Sequence, residues 1–125
     1  MTPDHISNVR VISVGATAVA GGITVVLLSI EIYSDGAVLS WRAFDEHHRL
    51  LAVPKVRVSD RIGTRYEAMA GPSNTGDSGH ASGSFRVEPV PPSQVELLRV
   101  AIESMGGEPF STATVVGPWV FEVAV

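Results

Sequence analysis

Apolar and polar residues alternate with a period of two along most of the chain, the spacing of strands that bury one face. Val9 to Val14 is a short β-branched run. Ile23 to Ser34 is longer: alternation puts Thr24, Val26, Leu28, Ile30 and Ile32 on one face and Ser29, Glu31 and Tyr33 on the other, and its early half is apolar on both. A start of that kind belongs to a central strand covered on both sides at one end, or to one that meets a partner there. In AVLSWRAF, Ala37, Leu39, Trp41 and Ala43 fall together against Val38, Ser40, Arg42 and Phe44, which makes Trp41 the expected centre of the core. Beyond Pro54, Val56 and Val58 alternate with Lys55, Arg57 and Ser59, a half-exposed strand near an edge. The pattern returns in TRYEAM from Thr64, in SFRVEP with Phe85 and Val87 inward, and in PWVFEVAV with Trp119, Phe121 and Val123 inward.

Turn chemistry separates these runs. Paired glycines in Ala20-Gly21-Gly22 mark a turn between two strands. Asp35-Gly36 is expected to centre a type I′ hairpin turn, which needs positive φ at both central residues. Asp60-Arg61-Ile62-Gly63 has type I turn chemistry and would make SDRIGTRYE a hairpin. Residues 71–84, GPSNTGDSGHASGS, hold four Gly, four Ser and no large apolar side chain. Such a segment buries little to offset its ordering entropy, so it is expected to be a flexible loop. PPSQVELLRVAIESMGG carries two signals: Ser93 and Glu96 have capping-box spacing ahead of a helical period, while Leu98, Val100 and Ile102 alternate as in a strand. Both readings stay open over 94–105, with a strand from about Leu97 to Glu103 favoured because the surrounding sheet needs closing partners.

Together these elements predict an all-β fold, an immunoglobulin-like antiparallel β-sandwich of about seven or eight strands. The 125 residues have the length of one domain, 1–125, and hydrophobic residues at 45% with charged residues at 18% are a globular composition. The uncharged run VISVGATAVAGGITVVLLSI between Arg10 and Glu31 has the length of a membrane span. Its three glycines and its alanine and β-branched content favour two strands over a lipid-facing helix. Without a convincing signal peptide or membrane helix, a cytoplasmic location is favoured and no membrane insertion is expected. Nine Lys and Arg against thirteen Asp and Glu give a net charge of -4, which disfavours nucleic acid as a partner. Only Lys55, Arg57, Arg61 and Arg65 gather in the sequence.

The long apolar strand ending in a hairpin, then VSDRIGTRYE, the Gly/Ser-rich span, FRVEPVPP, LRVAI and the terminal GPWVFEV resemble the immunoglobulin-like domains of uncharacterised bacterial proteins. These include the outer domains of anti-sigma-factor-like membrane proteins. The resemblance covers about residues 23 to 125 and implies structural roles for Asp60, Gly63 and Tyr66 and for Gly117, Pro118 and Trp119. With no membrane helix in this chain, it does not bring an anti-sigma role with it.

Candidate chemistry changes this picture little. Asp77, Ser78 and His80 in GDSGH imitate a serine protease loop, but a triad needs placement to a fraction of an ångström that residues so close together in a loosely packed loop do not supply. His47, His48, His80, Asp45 and Glu46 follow no zinc spacing, and zero cysteines exclude thiolate sites. Asp60 with Arg61, Arg65 and Glu67 reads as a turn plus cross-strand charge pairing, and Trp41 and Trp119 as core side chains instead of a sugar platform. No catalytic residue, metal site or cofactor is therefore expected. The expected role is non-catalytic, through a protein partner or a second copy of the chain, docking on a sheet face or edge such as the start at Ile23 to Leu28 or the strand at Val56. The alternative is a small molecule or carbohydrate held in a cleft beside residues 71–84.

Overall fold

The computed structural model describes residues 10–49, 51–75, 79–107 and 114–125. Eight strands form: β1 (Arg10–Ala20), β2 (Ile23–Tyr33), β3 (Gly36–Asp45), β4 (Leu51–Ser59), β5 (Glu67–Thr75), β6 (His80–Glu88), β7 (Leu97–Gly107) and β8 (Thr114–Ala124). All neighbouring pairs are antiparallel, in a five-stranded sheet of order β1-β2-β3-β6-β5 and a three-stranded sheet of order β4-β7-β8. The core lies between them. Trp41, Leu39, Phe85 and Ile30 from the larger sheet meet Trp119, Ile102, Leu98 and Met105 from the smaller, all at or near zero exposure. Burying a core of this size supplies the main folding drive, at about 25 cal/mol per Å² of apolar surface. Trp119 also ties the sheets directly: its indole Nε1 donates to the carbonyl of Ile23 at 2.9 Å.

The uncharged run is the β1–β2 hairpin. Gly21 and Gly22 have φ of 57° and 78°, the positive values that the turn needs and that a side chain would oppose. No helix among the described residues is long and apolar enough to cross a membrane. The ambiguous 94–105 segment is strand β7 from Leu97 onward. It sits at the centre of its sheet, where β4 and β8 saturate both backbone edges, so tertiary pairing overrides its helical period.

Five expectations need correction. Residues 71–84 are not simply a flexible loop: 71–75 belong to β5 and 80–84 to β6. Small side chains are what this hairpin requires, because Trp41 lies beneath it. A Cβ on Gly83 would come within 2.8 Å of the Trp41 ring and 2.9 Å of the Ser73 side chain. SDRIGTRYE is not a hairpin, since β4 and β5 lie in different sheets and the segment crosses between them. TRYEAM enters the sheet only at Glu67, the residues before it being used in the crossing. The β2–β3 turn is centred on Ser34-Asp35, with Tyr33 paired to Gly36 and no positive φ at 34–36. Gly36 serves as the first strand residue because a Cβ there would lie 2.6 Å from the carbonyl of Val87. Finally, Ile23, Val25 and Leu27 face inward, and the face changes at Leu28, an unpaired bulge residue after which Ile30 is buried. A bulge shifts the two-residue period by one, which plain alternation misses.

Candidate interaction surface

The chemistry weighed in the sequence is dispersed by the fold. Asp77 and Ser78 lie outside the described residues. His80 opens β6 and packs flat on Phe44, ring centroids 4.8 Å apart, with its Nε2 buried and unpartnered. His47 and His48 are exposed, and Glu46 is 3.3 Å from His47. Among the described residues no group of three His, Asp or Glu is placed to hold a metal ion. Trp41 and Trp119 are core residues, closed to any sugar.

Asp45 is a buried clamp instead of a ligand. It accepts from the backbone N–H of His47 at 2.9 Å and from the guanidinium of Arg49 at 2.8 Å and 2.9 Å. Arg49 also donates to the carbonyl of Gly21, Glu46 N–H to that of Gly22, and Asp45 N–H to that of Gly79. One cluster thereby fixes the end of β3, the β1–β2 turn and the start of β6. Burial pushes the Asp45 carboxyl up, but the bonds from Arg49 and His47 outweigh it and hold it below the ordinary value.

Asp60 organises the crossing at the other end. One oxygen accepts from the N–H groups of Ile62, Gly63 and Thr64 at 2.9 to 3.1 Å, and the other from Tyr66 Oη at 2.6 Å. Desolvation raises this carboxyl, yet the bonds from Tyr66 and Thr64 prevail and bring it to about 2. Tyr66 rises to about 12, through burial and then its bond to Asp60. Arg61 and Arg65 diverge from here, one lining a hollow with Gln94 and Leu97, the other a hollow with Asp35, Glu67 and Glu88.

Among the described residues, four surface hollows of about 150, 370, 200 and 230 Å³ stand out, and no described residue of 71–84 lines these four. The largest of these four is an open depression at the low end of ligand-pocket volumes.

What the fold does assemble is the outer face of the five-stranded sheet. Strand pairing arranges it in four rows across the strands. The first is Val19, Thr24, Phe44 and His80; the second Thr17, Val26, Arg42, Ser82 and Asn74; the third Ser13, Ser29, Ser40 and Ser84; the fourth Val11, Glu31, Val38, Arg86 and Met69. The outer rows are partly apolar; the third row is all serine, and the second is mostly polar, with Val26 and Arg42 its larger members. Among the described residues, eight large hydrophobics are exposed; five of them, Val11, Val19, Leu28, Phe44 and Met69, belong to this sheet, and two, Val53 and Val116, to the smaller one. Arg86 is paired with Asp35 at 3.0 Å and Glu88 at 2.8 Å, whereas Arg42 has no ion-pair partner among the described residues. Sequence alternation had placed Phe44 and Arg42 on the side away from Trp41. Their lateral neighbours were hidden, because rows depend on strand order and on the bulges.

Fold and surface define a two-sheet, all-antiparallel β domain. No family model matches the chain, and no curated protein is significantly similar to it. Among solved structures it is similar to one described as the crystal structure of the conserved domain protein from Bacillus anthracis. The TM-score is 0.70 at 11% identity, over 94% of this chain and 48% of that one. The likeness is one of fold, and this chain spans about half the length of that neighbour.

Proposed function

We propose that the chain is a non-catalytic immunoglobulin-like module that acts by protein association through the outer face of its five-stranded sheet. The observation that carries this reading is the set of apolar side chains left exposed among the described residues on the outer rows of one sheet face, with Phe44 46%, Val11 65% and Val19 69% exposed. The immunoglobulin-like assignment rests on strand order. With β1 set aside, β2-β3-β6-β5 over β4-β7-β8 has the first-second-fifth-fourth and third-sixth-seventh arrangement of that fold. This order supports kinship with the immunoglobulin-like domains of bacterial proteins. Small or shallow hollows give the ligand-binding alternative less support.

The test is a paired retention experiment. Wild-type chain and a Val11→Lys/Phe44→Lys variant, both verified as folded by circular dichroism, are immobilised and exposed to extract of the source cells. The wild type should retain proteins, itself included, that the variant loses; identical retained sets would sink the reading. Turnover of an activated ester should stay at background in wild type and in Ser78→Ala alike.

A further inference from the structure

We infer that the partner on this face is a second copy of the chain, stacked face to face about a two-fold axis that runs across the strands, between the Arg42 row and the serine row. This deepens the reading above and depends on it. Such an axis keeps each strand over its own counterpart and reverses the row order. The first row of one copy then covers the fourth row of the other. Val19 meets Val11 of the second copy, and Phe44 meets Val38, while the same contacts repeat in reverse, as a two-fold interface requires.

Charge selects this axis over its alternative. A two-fold running along β3 would lay Arg42 on Arg42, a repulsive contact between cations with no ion-pair partner within the described chain. The axis across the strands lays Arg42 over Ser40 of the second copy, where small side chains leave room. Glu31 of that copy then lies one strand over, about 5 Å, and one row along, about 7 Å, within reach of two long side chains; Arg86 of that copy lies equally near on the other side of β3, but its charge is already offset by Asp35 at 3.0 Å and Glu88 at 2.8 Å. Size is also sufficient. Four rows on five strands give a footprint of roughly 650 Å², close to the roughly 800 Å² per partner of a specific interface.

Two measurements on the full chain test this. In light scattering coupled to sizing, the wild type should be a dimer at tens of micromolar. Arg42→Glu and Glu31→Arg should each weaken dimerisation at least about tenfold, and the double swap should restore it, because the pair is re-formed in reverse. The second uses the absence of native cysteine. Val11→Cys/Val19→Cys should form disulfide-linked dimers on mild oxidation, and each single variant should not. The two positions are three rows, roughly 20 Å, apart in one chain, too far for an internal bridge, so the link must join copies. This second test leaves Arg42 and Glu31 untouched and remains decisive should a charge variant misfold. A wild type monomeric at a hundred micromolar, a dimer indifferent to both single charge changes, or equal cross-linking in the cysteine singles would each overturn the proposal. A monomeric wild type whose face still retains another protein would overturn the second-copy assignment alone and leave the association reading standing.

Discussion

Asp60 and Asp45 are both carboxylates at strand ends, and each stabilises the protein by accepting bonds that only its ionised form can accept in full. Both have folded pKa values below the ordinary one, so their stabilisation is present above the unfolded pKa and is lost as pH falls through the folded value. For Asp60 that window runs from about 3.8 down to about 2. Tyr66 has the opposite sign: its contribution is intact below 10 and is lost as pH climbs toward about 12. Tyr66→Phe should therefore lower the melting temperature by a few degrees at pH 7 and flatten both the acid and the alkaline limbs of a melting-temperature profile; unchanged limbs would count against the pairing. Asp45→Ala leaves the Arg49 guanidinium and the His47 N–H without their acceptor, at a cost of roughly 2 kcal/mol in urea unfolding. The structural value of Asp60 was legible in its turn spacing to Gly63 and in the resemblance that includes Tyr66. That of Asp45 was not, because the cluster it anchors joins its own N–H to the Gly79 carbonyl and, through Arg49, reaches the Gly21 carbonyl, groups brought together only by folding.

At the level of elements, strand existence was largely readable and strand pairing was not. Alternation placed Leu39, Trp41, Phe85, Val87, Trp119 and Phe121 inward, and all six are buried. It failed at Leu28, where a bulge resets the period, and over 71–84, where a lack of large side chains looked like a lack of order. Gly83 shows why: the hairpin is small so that Trp41 can fit under it. Gly83→Ala should cost roughly 1 to 3 kcal/mol through overpacking, more than alanine at exposed Gly63 would through its φ of 83° alone, and thermal melts of the two variants would check the order.

Across the whole molecule, the two tryptophans have unequal roles. Trp119 Nε1 reaches the Ile23 carbonyl of the opposite sheet, while Trp41 Nε1 is buried without a partner. Trp119→Phe should destabilise by about 1 kcal/mol more than Trp41→Phe, since it alone removes a buried hydrogen bond between the sheets; equal losses in chemical denaturation would refute that difference. By itself the sequence determined the strand-rich class, most of the inward set and the Gly21-Gly22 turn, because side-chain period and turn chemistry are local properties of a few neighbouring residues. Only the tertiary structure decided which strands share a sheet, that Asp60 starts a crossing instead of a hairpin, and that Val11, Val19, Phe44 and Arg42 occupy one face. Those facts depend on contacts between residues far apart in the chain, and on bulges that shift register by one position, for which the local pattern carries no signal.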